Sequence, residues 1–218
     1  MSLFTAMLLP VVLSLGNWQL NRAEEKRLFE QEYMDRIGAL ARIPGAEVAD
    51  FERVRLTGEY EAERYFLLDN QTRNGAIGYG VVSSFRTIDG RRWLVNRGFL
   101  MGDRARRTLP EVNVPSGTVT LTGLIWPDLG LVPVFGENVW PDGWPKLVQR
   151  LEVTRMAALL PDAVAAEVRL EPGQPGVLAA APVELNMPAS KHTGYAVQWF
   201  GLAAALSIGY VIFGFRRQ

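Results

Sequence analysis

The chain contains no cysteine and a single histidine, His192. Without cysteine it can form no disulfide, offer no thiolate nucleophile and build no cysteine-type zinc site. With one histidine it can build no multi-histidine metal centre. Serine nucleophiles in the middle of the chain are left without a histidine base. The 23 basic and 23 acidic side chains cancel, and there is no long basic run. Such a chain is a poor partner for a nucleic-acid backbone. It has no Gly-rich phosphate loop, and its acidic residues show no pattern that marks paired catalytic carboxylates. No catalytic constellation emerges, and an enzyme is not expected.

Charge is also missing from both ends. No charged side chain occurs from Met1 to Asn21, or from Thr193 to Phe215. At about 1.5 Å per residue, either run could cross a hydrocarbon core of roughly 30 Å as a helix. Pro10 would kink the first helix, which neighbouring protein can tolerate. Ser14-Leu15-Gly16 would serve as a cleavage site for a signal peptide. No basic segment precedes the apolar run, so retention as an anchor is expected. Arg216 and Arg217 close the second run and read as cytoplasmic. Arg22, Lys26 and Arg27 pull the other way, but a long translocated domain overrides such charges. The expected topology has both termini in the cytoplasm and the middle of the chain in the periplasm.

The middle changes period. Gln19 to Ile37 reads as the first helix continuing out of the membrane, with Arg22 to Arg27 as a solvated collar. Gly38 to Ala49 is a linker. Arg53 to Tyr60 alternates polar and apolar residues, as a half-buried strand does. Further strands are expected over Arg64–Leu68, Gly78–Thr87, Arg92–Phe99, Thr118–Ile125, Leu147–Leu151 and Ala166–Leu170. Asn74-Gly75 and Asp89-Gly90 are turn signals. Gly130 to Pro145 reads as an irregular, ordered loop, and Thr154 to Leu160 as a short helix stopped by Pro161. The fold class is α+β: a β-rich extramembrane domain over residues 50–190, between two antiparallel transmembrane helices. The first spans residues 1–21 and continues to about 37. The second spans residues 193–215.

Three places could carry chemistry. His192, Tyr195, Ala196 and Trp199 fall on one helical face, and Ala203 extends it a turn further. A polar ligand at the lip, aromatic walls and small residues between them would suit a flat apolar macrocycle, and imidazole is a common haem ligand. The same residues also fit interfacial aromatics and small-residue helix packing. Asn17, Trp18 and Gln19 leave the first span where they could hydrogen-bond across at the level of His192, or simply anchor the interface. Gln198, inside the second span, suits an interhelical hydrogen bond. Arg73 and Arg97 could clamp a carboxylate with their guanidinium forks, or be solvated turn charges.

The motifs together resemble the surfeit-locus family of cytochrome c oxidase assembly proteins. They are Leu15-Gly-Asn-Trp-Gln-Leu-x-Arg22, Gly78-Tyr-Gly80, Val95-Asn-Arg-Gly98 and His192-x-x-Tyr-Ala-x-x-Trp-Phe200. The likeness runs from about Leu15 to Phe215. The family often has an aromatic-Lys pair after the first arginine; here Glu25-Lys26 stands there, and no role of that aromatic carries over. The resemblance implies a non-enzymatic assembly factor for haem-copper oxidase that carries or places haem a. It implies a ligand role for His192 toward the haem iron, with Tyr195 and Trp199 beside it. The implied partners are cytochrome c oxidase subunit I, haem a synthase and the lipid bilayer of a bacterial inner membrane. A scaffold that never binds haem keeps the same partners.

Overall fold

A computed structural model of the chain describes residues 2–45, 47–103, 108–130, 138–179 and 188–215. The chain divides into two compact units. One holds the terminal segments, Met1–Asp35 and Val183–Gln218; the other is Arg36–Pro182.

The terminal unit is a pair of helices, α1 (Ser2–Ile37) and α3 (Ala189–Phe215). Pro10 lies within α1 without interrupting it. Both helices are long and apolar enough to cross a membrane. Large apolar side chains such as Leu3, Phe4, Met7, Val197, Leu202 and Ile208 are exposed on them. A soluble core helix would bury these groups, whereas a bilayer covers them. Passing along α1, Gly16, Gln19 and Glu30 meet Phe200, His192 and Ala189 in reverse order, so the pair is antiparallel.

The central unit is a mixed sheet with α2 (Val153–Ala157) on it. Its strands are β1 (Arg53–Arg73), β2 (Ala76–Thr87), β3 (Arg92–Met101), β4 (Val119–Trp126), β5 (Lys146–Val148) and β6 (Ala163–Leu170). They run in the order β2-β3-β6-β4-β1-β5, and β1 also pairs with β2. That last pairing closes a ring of five strands and leaves β5 as a parallel attachment to β1. Ring closure happens at Gly58, which pairs with both Thr87 and Val119. A Cβ there would stand 2.1 Å from the Arg86 carbonyl oxygen. Only glycine permits so close a backbone approach.

Inside the ring, Val54, Leu56, Tyr60, Phe85, Trp93, Leu121 and Val168 form the main core. A second cluster, with Phe66, Leu94 and Met156 at its centre, lies beneath α2. Asn74 and Gly75 both take positive φ, 50° and 76°, as the β1–β2 turn requires. Two expected strands prove to be one. β1 runs through Glu61–Arg64 with a register shift between Tyr60 and Tyr65, and it continues to Arg73. The polar run reads as a break in sequence; in space it is a bulge that bends the strand. The strand expected over Leu147–Leu151 is the shorter β5, and that expected over Ala166–Leu170 begins earlier, at Ala163.

Candidate functional site at the helix pair

The helix pair is held by a seam of mostly small side chains. On α1, Thr5, Val12, Gly16 and Ala23 are buried, and Leu9 and Gln19 are half-buried between them. These positions alternate steps of four and three. On α3, His192, Ala196 and Ala203 are buried, with Trp199 and Leu206 half-buried in the same rhythm. This is the spacing of left-handed helix pairing, and Gly and Ala at the contact let the backbones come close.

His192 enters this seam near the start of α3. It is only 8% exposed, and its Nδ1 lies 2.7 Å from Oε1 of Gln19. The expectation that the end of the first motif reaches His192 holds for Gln19. It does not hold for Asn17 and Trp18, which are exposed. An amide oxygen only accepts, so in this arrangement Nδ1–H donates to it, and Nε2 carries the lone pair. His192 makes no other hydrogen bond among the described residues. The start of α3 is also tied to α1: Glu30 Oε1 accepts the Ala189 N–H at 3.4 Å. A carboxylate at that point complements the positive end of the helix dipole.

The aromatic neighbours stand differently. Ala196 faces the seam with His192, Trp199 is half-buried, and Tyr195 is 44% exposed. The face that helical spacing groups together is thus divided, with its small and polar members packed on α1 and Tyr195 turned outward. Gln198 is exposed and makes no interhelical hydrogen bond among the described residues, because its side of α3 does not face α1. Arg216 and Arg217 lie outside the described residues.

The Arg73–Arg97 clamp is not formed. Arg97 is 1% exposed, and its guanidinium donates to the carbonyl oxygens of Gly176 and Asn113, both at 2.6 Å. It also lies over the Tyr60 ring, 5.1 Å from the centroid. Burial without a carboxylate partner holds its pKa below the usual arginine value, against a smaller opposing effect from Tyr60. Arg97 ties two loops to β3, while Arg73 ends β1 at the hairpin turn. Sequence reasoning missed this structural role, because an arginine in a strand carries no mark of burial.

Among the described residues, no group of three or more His, Cys, Asp or Glu side chains could hold a metal ion. His192 is the one imidazole of the chain, and among the described residues Gln19 and Thr5 are the other polar side chains in the seam. The family comparison reaches the same residues. A model of the SURF1 family matches residues 6–204, a range that includes Gln19, Gly58, Arg97 and His192. The chain belongs to the SURF1 family. Among similar proteins, a SURF1-like protein of Rickettsia felis is 27% identical over 226 residues, covering 93% of this chain and 92% of its own. One from Rickettsia prowazekii is 28% identical over 225 residues, covering 93% and 85%. A SURF1-like protein of Dictyostelium discoideum is 31% identical over 103 residues, covering 41% of this chain and 38% of its own.

Proposed function

We propose that this SURF1-family chain is an assembly factor for haem-copper cytochrome c oxidase. It binds haem a as cargo, or places it, during maturation of the catalytic subunit I. The reading is non-enzymatic. It includes two spans in a bacterial inner membrane, a periplasmic central domain, and haem a synthase as a second partner. The observation that carries it is the state of His192. The one imidazole of the chain stands near the start of the second apolar helix, its Nδ1 engaged by Gln19 and its Nε2 without a hydrogen bond among the described residues. An imidazole so arranged offers one axial bond to haem iron. Trp199 and the exposed Tyr195 supply aromatic surface on the same helix.

A second reading, a scaffold that contacts the oxidase without binding haem, is favoured by a different observation. His192 is buried in the seam, and there a polar pair can serve only to lock two helices together. Absorbance of the protein purified after co-production with haem a separates the two. On the proposed reading the wild type carries a haem spectrum, His192→Ala loses or shifts it, and Trp199→Ala retains less haem with the ligand intact. An unchanged spectrum and affinity in His192→Ala would leave the scaffold. The topology has its own test: alkaline phosphatase fused near Val114 is active, and fused after Gln218 is inactive. A deletion strain should keep only part of its haem a-type oxidase activity, with haem b-type quinol oxidases less affected.

A further inference from the structure

A neutral imidazole can carry its proton on either nitrogen, and only the bare one can bind iron. Which one is bare follows from the hydrogen bond the other makes. The partner of His192 comes from the other end of the chain. Gln19 is half-buried on α1, one helical turn from Gly16 and one from Ala23, both buried in the seam. Gly16 carries the Phe200 ring against its backbone and Ala23 has only a methyl group, so between them the Gln19 side chain is the one that reaches the imidazole. At 2.7 Å the contact is short and well formed. With the amide oxygen turned to the ring, the opposite tautomer would set a bare Nδ1 against an oxygen lone pair, and Nε2 would be protonated and closed to a metal.

We infer that Gln19 is a positioning residue: its side-chain oxygen holds His192 in the Nδ1–H tautomer and keeps Nε2 bare. This rests on the ligand reading of His192 for its purpose, but not for its geometry. The choice of an amide is itself informative. A carboxylate at the same place would draw the Nδ1 proton more strongly and make the imidazole a stronger donor. An amide orients the ring and leaves it an ordinary neutral ligand, which suits a site that must give its cargo up. In a purely structural pair, in which Gln19 only joins the helices, either tautomer would do, because the amide can turn its NH2 group toward a bare Nδ1.

The chain's single histidine makes the test direct. In full-length, haem-free protein in detergent micelles, labelled with 15N-histidine, one pair of ring nitrogens is seen. The wild type should show a protonated Nδ1 and a bare Nε2. Gln19→Leu should release the preference and let Nε2–H appear, while Gln19→Glu should retain the wild-type pattern. After co-production with haem a, Gln19→Leu should retain roughly 10- to 100-fold less haem, as loss of a metal ligand's orienting partner does. Gln19→Glu should retain haem with a shifted absorption band. A wild type with protonated Nε2, or a Gln19→Leu variant with an unchanged nitrogen pattern, overturns the inference whatever the haem content. If instead the nitrogen pattern follows Gln19 but wild type, Gln19→Leu and His192→Ala all carry the same haem, the ligand reading falls and the control of the tautomer by Gln19 stands.

Discussion

Gly16 and Phe200 meet so closely that a methyl group on Gly16 would stand 2.8 Å from the Phe200 ring. The ring lies flush on the α1 backbone at the level where the two apolar helices pack. Phe200 is partly exposed, so a small intruder can push it aside, and a large one also has to part the helices. Gly16→Ala should therefore be tolerated at a cost of under about 1.5 kcal/mol, and Gly16→Leu should cost about 1–3 kcal/mol or more. Thermal unfolding in detergent measures both. Phe200→Ala should recover part of the loss in the Gly16→Leu background and not in Gly16→Ala, because only the larger side chain needs the vacated space.

Tyr60 should give the central unit an alkaline limit. Its hydroxyl donates to the Pro175 carbonyl at 2.9 Å, and burial pushes the phenol up to about 12, with the Arg97 cation pulling it partly back. The folded value is raised. The neutral phenol's contribution is thus complete below the ordinary value of 10.0 and is lost as pH rises through about 12. Over that window the loss amounts to about 2–3 kcal/mol. A titration followed by tyrosinate absorbance should show an ionisation step at about 12, together with loss of fold. Tyr60→Phe should remove that step and be less sensitive to alkali.

Glu61 sets the acid side. It sits in the β1 bulge, and Arg92 grips its carboxylate from Nε and Nη2, at 3.0 Å for the best pair. Ser84 donates to it at 2.5 Å. Burial raises the carboxyl pKa, but the hydrogen bonds from Arg92 and Ser84 and the charges of Arg92 and Arg86 outweigh it, and the net direction is down. A depressed carboxyl contributes stability above its ordinary value of 4.5, and that contribution disappears as pH falls through the lower folded value. Glu61→Gln should cost about 1.5–3 kcal/mol at pH 7. The gap from wild type should narrow steadily below about pH 4.5 in urea titrations.

Lys146 organises the tryptophan-rich loop. Its ammonium is buried and donates to the carbonyl oxygens of Pro141 at 2.5 Å, Asp142 at 3.3 Å and Gly143 at 3.4 Å. The loop so held brings Trp144 edge-on to Phe66, with centroids 5.1 Å apart. Lys146→Met keeps the length and removes the donors. It should cost about 1–3 kcal/mol, since three hydrogen bonds from a charged donor are lost. Protease cleavage within residues 138–145 should become faster while the rest of the central unit resists.

What could be read from the sequence was local. The Asn74-Gly75 turn needs two residues that accept positive φ, and the pair announces itself. The terminal helices are legible because charge is absent over a whole membrane thickness. What could not be read was non-local or inverted in sign. The closing of the ring depends on β3 lying parallel to β6, across a separation no short-range pattern reports. Glu61 looks like a break in a strand because its burial depends on Arg92, far along the chain. Arg97 looks solvated because its carbonyl partners carry no signature in sequence. At the helix pair, the spacing rule placed Tyr195 with His192, but a partner helix covers a narrower stripe than one whole face. Gln19 and His192 took the middle of that stripe, and Tyr195 fell outside it.

The closure of the central sheet at Gly58 has a consequence for recognition. An open sheet can capture a client by lending it a row of unpaired amides and carbonyls, with little regard for the client's sequence. Here β2 is paired with β1 on one side and β3 on the other over most of its length, and the attached β5 has only three residues. Strand addition at β2 has almost nowhere to begin. Any polypeptide that meets the domain at β2 has to be recognised there by its side chains rather than by strand pairing.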